Sequence, residues 1–369
     1  MKLNILDEMK KGKYEQIVFS YDPVTGLKTI TVIHNSVLGP TNGGTRLYNY
    51  KTEDEALIDC MRLARGMTHK NAAAGLQHGG CKQVIIADPK TCKSEQFFRA
   101  YGKIIQGFGG RVFTGEDMHI SSQDCEWMAL ECDYINGLEG KSGNTSPITG
   151  YGVFRGLQAC LKEKFGTKDP SKFKYAIHGV GAVGSAFLHY LVKNGGTPEK
   201  IVFTDVNQAA IERIKREYPG IKYVKPDDIW KQNVDVICPF AMGAVLNDKT
   251  IPQIKAKIVA GSANNQLADE VKHGDMLMKK GILYAPDFII NGAGVINVSH
   301  EIIGYSKEAA LRDVEKIYQR LLDVFEIAKK KKINNQLAAI YYAEKRIKEI
   351  AAINGKNIKN VKCYHYAKW

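Results

Sequence analysis

The stretch "KYAIHGVGAVGSAFLHYLVKNG", residues 174–195, with "KIVFTD" at 200–205, constrains the fold more than any other part of the chain. Short apolar runs flank a helical segment, so the order reads strand, helix, strand. Gly179, Gly181 and Gly184 fall at the turn from the first strand into the helix. Glycines there allow the tight turn, the close approach of a pyrophosphate to backbone, and the packing of helix on sheet. Asp205 closes the second strand. A carboxylate at that point accepts hydrogen bonds from ribose hydroxyls and repels a 2′-phosphate, so the pattern predicts NAD rather than NADP. "VDVICPFA", "AKIVAGSAN" and "ILYAPDFII" continue as the short apolar runs of a parallel sheet.

At 369 residues the chain is two to three times a domain of about 100–200 residues, which predicts two domains with a cleft between them. The first third mixes strands and helices. In "GLKTITVIHNS" (26–36), Leu27, Ile30, Val32 and Ile33 predict a half-buried strand. "TEDEALIDCMRLARGM" (52–67) opens on a capping box, Thr52 with Glu55, and repeats Leu57, Cys60, Met61 and Ala64 at helical spacing. Composition then shifts to Gly, Ser, Asn, Thr and Pro in "EGKSGNTSPITGYG" (139–152), which reads as a hinge or linker. Long helices close the chain, with Gly355 as the terminator of "QLAAIYYAEKRIKEIAAING". The expectation is an α/β protein with an N-terminal α/β substrate domain, residues 1–148 plus 335–369, and a doubly wound Rossmann-type NAD domain at 149–334.

Lys+Arg 52 against Asp+Glu 39 gives a net charge of +13. The lysines are spread along the chain, and no basic stripe is interleaved with aromatics, which argues against a nucleic-acid partner. The run Lys329–Lys332 reads as a solvated helix end. The cysteines Cys60, Cys81, Cys92, Cys125, Cys132, Cys160, Cys238 and Cys363 lack the spacing of a zinc site and read as small buried hydrophobes, so no metal is expected. No leader is apparent, and no apolar run approaches the roughly 18 residues of a membrane span. The expectation is a cytoplasmic, reduced protein without a membrane partner.

"RGMTHKNAAAGLQHGGCKQVII" (65–86) places Lys70 and Lys82 around small residues with no acid between them. Lys70 is expected just beyond a helix end and Lys82 at the start of the strand "KQVIIAD". With one lysine on a substrate carboxylate, its field and partial desolvation lower the pKa of the second, which then works as a base near neutral pH. An anionic substrate is implied.

Six segments in order, "LGPTNGGTRL", "RLARGMTHKNAAAGLQHGGCK", "GEDM", "SPITGYGVFRG", "AGSANNQL" and "YAPDFIINGAGVINV", resemble the motifs of the glutamate, leucine, phenylalanine and valine dehydrogenases, with the leucine, phenylalanine and tryptophan enzymes as the nearest branch. The resemblance covers nearly the whole chain. It implies reversible, NAD-dependent oxidative deamination of an L-amino acid to its 2-oxo acid and ammonium by a homo-oligomer whose substrate domain also carries the oligomer contacts. Carried over by motif, Lys70 binds the substrate carboxylate, Lys82 activates the water that attacks the imine, and Asp117 binds the amino group and shuttles protons. Gly43 and Gly44 leave room for substrate near Lys70, and Met67 is counted among the substrate-binding residues. Asn264 reaches either the nicotinamide amide or the substrate amino group, and Thr149 belongs to the cofactor site.

Asn42 stands where glutamate enzymes carry a lysine for the side-chain carboxylate, and Gly115 where leucine enzymes carry alanine. The expected substrate is therefore a large apolar or aromatic amino acid, with Val295 and Val298 as the apolar wall and the missing methyl at Gly115 deepening the pocket. Other departures are His119 and Ile120 in place of a glycine and a threonine, Cys81 within "GGCK", and "NGAG" at 291–294. The rival readings are the same reaction on an indolic or other specialised substrate, or a silent NAD-binding or basic nucleic-acid-binding protein that keeps the fold.

Overall fold

The computed structural model describes residues 4–357. Their contacts divide into two compact units, one of 4–144, 298–306 and 343–357, the other of 145–297 and 307–342. The first break falls inside the Gly/Ser/Asn/Thr/Pro segment, four residues before the expected one. The return of 298–306 to the first unit was not anticipated.

In the first unit the order is α1 (Ile5–Gly12), β1 (Gln16–Asp22), β2 (Leu27–Asn35), β3 (Thr41–Asn42), β4 (Thr45–Tyr48), α2 (Glu53–Ala73), β5 (Gly79–Ile86), α3 (Glu95–Gln106), β6 (Val112–Phe113) and α4 (Ser122–Ala129). The sheet runs β1-β2-β5-β3-β6, with β4 also on β5. β2 is not half-buried: its residues 29–34 are all buried, because both faces are covered. Leu27 and Ile33 pack with Phe97, Phe98 and Tyr101 of α3, whereas Ile30 and Val32 pack with Leu57, Cys60 and Ala64 of α2.

Thr52 caps α2 by accepting from the Glu55 N–H at 3.1 Å, a contact worth about 1 kcal/mol. The reciprocal half of the expected box shifts by one residue, since Glu55 accepts from Lys51 N–H. α2 continues six residues past the expected end, and Lys70 lies within its last turn. Thr68, His69, Asn71, Ala72 and Ala73 are all buried there, and this packing outweighs the weak helical preference of Thr, His and Asn. Lys82 is the fourth residue of β5 rather than the first of a strand. Gly79 and Gly80 join the strand by pairing with Thr41 and Asn42 of β3.

The second unit contains α5 (Ser146–Phe165), β7 (Tyr175–His178), α6 (Ala182–Lys193), β8 (Ile201–Thr204), α7 (Gln208–Glu217), β9 (Lys222–Tyr223), β10 (Val236–Pro239), β11 (Ile258–Val259), α8 (Lys272–Lys279), β12 (Leu283–Tyr284), α9 (Asp287–Ile290), most of α10 (Ala293–Ser299), α11 (Lys307–Glu315), α12 (Ile317–Lys331) and the start of α13 (Asn335–Asn357). Its six strands are ordered β12-β11-β10-β7-β8-β9 and pair in parallel. That is the doubly wound Rossmann-type arrangement, whose crevice lies at the carboxyl ends of β7 and β10 where the order reverses. α13 runs on to Asn357, so Gly355 does not terminate it.

The seven cysteines of the described residues are free, and all but Cys92 are buried; Cys363 lies outside the described residues. Among those residues no helix is long and apolar enough to cross a membrane, and no group of three or more His, Cys, Asp or Glu is placed to hold a metal ion.

Candidate active site

The acid that pairs the lysine-rich segment comes from a distant part of the chain. Lys82 is buried in β5, its side chain 4% exposed, and its Nζ lies 3.2 Å from Asp117 Oδ2. Arg46, from β4, donates Nε–H to the same oxygen at 2.9 Å. Burial works against ionisation of Asp117, but the Lys82 ammonium and then the Arg46 guanidinium outweigh it and hold the carboxyl below its ordinary value. Asp117 is therefore a carboxylate at neutral pH, 28% exposed and within reach of a ligand. An ammonium as buried as Lys82 would cost several kcal/mol without such a partner.

The glycines around this cluster are filled by the protein itself. A Cβ on Gly43 would lie 1.9 Å from the Cys81 carbonyl oxygen, with Met67 Cγ 3.3 Å away. On Gly44 it would lie 2.4 Å from Glu116 O and 3.1 Å from Asp117 Cβ, and on Gly80, 2.1 Å from Thr68 N. These glycines bring β3, the Asp117 turn and α2 against one another; the expected role of Gly43 and Gly44 in leaving open room for substrate gives way to this packing. Asn71, beside Lys70, ties the last turn of α2 to the sheet by donating to Asn42 O at 3.0 Å and Gly79 O at 2.6 Å. Asn42 is buried and its Oδ1 accepts from Asn136 Nδ2 at 3.3 Å.

The glycine turn of the second unit is built differently. Gly179 has φ +101°, and a Cβ on Gly184 would sit 2.2 Å from the Gly179 carbonyl, so the first and third glycines serve turn and packing. Gly181, the N-cap of α6, faces open space. The first turn of α6 has no acid, so its N–H groups and dipole suit a phosphate. Asp205 accepts from Val180 N–H at 2.7 Å and from Asn207 N–H at 2.9 Å, and its two oxygens have lone pairs left for ribose hydroxyls. Asn291 donates to Asn264 Oδ1 at 2.8 Å, while its own Oδ1 is buried without a partner among the described residues. That orphaned acceptor fits a carboxamide N–H. Thr149 is buried, its Oγ1 3.1 Å from the Cβ direction of Gly294.

Sequence profiles of the Glu/Leu/Phe/Val dehydrogenase dimerisation domain and of glutamate/leucine/phenylalanine/valine dehydrogenase match residues 15–134 and 193–357. The chain is 45% identical to leucine dehydrogenase of Bacillus cereus over 98% of both chains. It is 44% identical to phenylalanine dehydrogenase of Lysinibacillus sphaericus over 86% of this chain and 84% of that one. The crystal structure of L-tryptophan dehydrogenase from Nostoc punctiforme superposes with a TM-score of 0.83 at 38% identity, covering 94% of this chain and 99% of the other. The chain belongs to the glutamate/leucine/phenylalanine/valine dehydrogenase family. It is an amino-acid dehydrogenase of the class that carries out oxidative deamination with a nicotinamide cofactor.

Three of the departures from the family pattern, His119, Ile120 and Cys81, have defined places in the first unit. His119 stands where the family has glycine, and its φ of +59° shows why glycine suits that place. The histidine is held there by donating Nδ1–H to Leu47 O at 2.9 Å and by stacking on Tyr48, rings 8° from parallel. Ile120 is buried in the core beside α3 and α4. Cys81 also faces the core, where burial pushes its thiol up to about 11 and leaves it inert at neutral pH.

Gly115 does not deepen a pocket as expected. A Cβ there would lie 2.6 Å from the Asn136 carbonyl, so the missing methyl relieves a backbone contact instead of deepening a pocket. Val295 is buried and Val298 half-buried, one turn apart on α10. Three residues escaped the sequence reading: Arg46, Asn71 and Asn136. The first two lay inside quoted motifs, "GGTRL" and "THKNAAAG", where only their neighbours drew attention. Nothing in the sequence distinguished Asn136.

Proposed function

We propose that the protein catalyses the NAD-dependent oxidative deamination of a large apolar or aromatic L-amino acid. The observation that carries the chemistry is the buried Lys82 held 3.2 Å from the ionised Asp117. Lys70 holds the substrate carboxylate, and Asp117 takes a proton from the substrate ammonium. Lys82 activates the water that attacks the imine carbon, releasing ammonium and the 2-oxo acid. Bound NAD supplies the acceptor for the Cα hydride. Gly179, Gly181, Gly184 and Asp205 hold its adenosine and pyrophosphate, and Thr149 and Asn264 its nicotinamide end. Asp205 favours NAD over NADP because a 2′-phosphate would meet its charge.

The substrate class rests on Asn42. A buried neutral amide, engaged with Asn136, offers no cation for a second carboxylate, and Val295 and Val298 supply apolar surface. The named relatives act on leucine, phenylalanine and tryptophan. The protein works as a cytoplasmic homo-oligomer assembled through its first unit, where β1 is an edge strand with Phe19 and Tyr21 51% and 63% exposed. An assay at 340 nm with NADH or NADPH, ammonium and the 2-oxo acids of valine, leucine, phenylalanine, tryptophan and glutamate tests the reading. Turnover should be highest with NADH and the bulky apolar acids; preference for 2-oxoglutarate, or no turnover with any acid, refutes it.

A further inference from the structure

We propose that Arg46 is the positioning residue for Asp117, acting as a rigid bridge between that carboxylate and a second one, Asp59 of α2. Arg46 donates Nε–H to Asp117 Oδ2 and Nη1–H to Asp59 Oδ2, each at 2.9 Å. Asp59 is fixed in turn by Tyr50 Oη at 2.7 Å and Arg62 Nη2 at 2.9 Å. The five charges alternate in sign: Lys82, Asp117, Arg46, Asp59, Arg62.

A guanidinium is planar with its donors at fixed angles, so anchoring one edge on Asp59 determines where Nε points. An ammonium cannot span both carboxylates in this way. The strand carrying Arg46 also holds the backbone of the Asp117 turn, since Leu47 N–H donates to Met118 O at 3.0 Å and Leu47 O accepts from His119. Side chain and backbone of the acid are thus registered to the same strand, β4. Arg46 has a further consequence for Lys82: with a second cation on Oδ2, the charge of Asp117 is balanced without relying on the lysine alone, which lets Lys82 give up its proton and act as the base toward the reacting water.

The proposal rests on Asp117 being the proton acceptor, and the test separates the two. Arg46→Ala, Arg46→Lys, Asp59→Asn and Asp117→Asn are compared in the full chain with L-leucine and L-phenylalanine as substrates. Arg46→Ala should lower kcat by about 100-fold, the size of effect a misplaced catalytic group produces, and leave the KM for NAD within about twofold. Guanidinium ion at tens of millimolar should restore about tenfold of that loss in Arg46→Ala and nothing in the parent, a response that a merely structural arginine would not give. Arg46→Lys should stay at least tenfold below the parent because it cannot bridge. Asp59→Asn should cost about three- to tenfold by loosening Arg46. A folded Arg46→Ala with kcat within threefold of the parent, or one that guanidinium does not rescue, overturns the proposal. If Arg46→Ala does not fold, a parental kcat in Asp59→Asn overturns it. Parental turnover in Asp117→Asn overturns the proton reading itself; an inactive Asp117→Asn beside an active Arg46→Ala overturns the role of Arg46 alone.

Discussion

The two glycine-rich sites of this molecule look alike in sequence and differ in what fills them. At Gly43, Gly44 and Gly80 the place of the absent side chain is taken by backbone of the same unit, at 1.9, 2.4 and 2.1 Å from an added Cβ. At Gly181 it is open. The first set lets strand, helix and turn approach within the thickness of a methyl group around the Lys82–Asp117 pair. The second leaves its space free for something other than the protein's own backbone. A glycine motif therefore reports a close approach, and only the structure says whether protein or ligand makes it.

The largest expected effect separates the chemistry of the first unit from the cofactor site of the second. Lys82→Met keeps the length of the stem and removes the charge, so kcat should fall by about 1,000-fold or more, as removal of an essential general base does. NAD binding, followed by quenching of intrinsic fluorescence, should change by less than about twofold because the glycine turn is built from other residues. Substantial residual turnover would break the assignment of Lys82.

Alanine at the two glycine sites tests the comparison directly. Gly43→Ala and Gly80→Ala each force backbone apart and should destabilise by about 3 kcal/mol or more, lowering Tm by roughly 6–12 °C. Gly181→Ala should leave Tm within about 2 °C and weaken NAD binding by tenfold or more, about 1.4 kcal/mol. Thermal melts and NAD titrations of the three proteins read both quantities. If Gly181→Ala melts low, or Gly43→Ala melts with the parent, the distinction fails.

The same contrast explains how much of the protein was legible in its sequence. The strand, glycine turn, helix and Asp205 of the second unit were readable because the residues that make up the pattern all lie within 32 positions, 174–205. Lys82 was visible as an anomaly, an unpaired cation in a strand-like run, but its partner lies 35 positions away and Arg46 36 in the other direction. Pairing across such distances leaves no periodic trace. The length of α2 was misjudged for a related reason: its last turn is held by burial and by Asn71, and burial is decided by the sheet beneath it. Gly115 failed differently, since the residue was noticed and the wrong neighbour assigned to the missing methyl.

Acid should affect the first unit through a pair of neutral histidines. His34 and His69 are buried with ring centroids 6.5 Å apart, and burial foremost, with Arg65 nearby, lowers each from 6.5 to about 4. The folded state then binds fewer protons than the unfolded chain, so this stability is complete above about pH 6.5 and is lost as pH falls toward 4. Each site contributes on the order of 3 kcal/mol at full effect. Asp117 and Asp59 are lowered as well, but from an ordinary value of 3.8, so they lose their contribution only around and below that value; the interval from 6.5 to 4 belongs to the buried histidines, with His78 and His178 lowered in the same direction. Denaturant midpoints measured from pH 7.5 to 4.5 should fall through this interval, and His34→Gln with His69→Gln should flatten the decline. A midpoint independent of pH over that range would remove the histidines as its cause.

The smallest expected effect lies at the turn beside Asp117, where a side chain occupies a conformation that the family gives to glycine. The left-handed φ of +59° at His119 costs a non-glycine residue roughly 1 kcal/mol, and the bond to Leu47 O returns about as much. His119→Gly removes both terms and should change Tm by no more than about 2 °C. His119→Ala keeps the strained φ and loses the bond, so it should be less stable than the glycine variant by about 1 kcal/mol, or 2–4 °C. The order parent, glycine, then alanine therefore reports strain offset by a hydrogen bond. Should alanine melt with the parent, the bond to Leu47 contributes nothing and His119 is there for another reason; should glycine melt well below alanine, the turn is not strained. Turnover sharpens the result, because the turn positions Asp117: a fall in kcat in the alanine variant, with kcat held in the glycine variant, would show that the backbone at this position, rather than the imidazole, supports the acid.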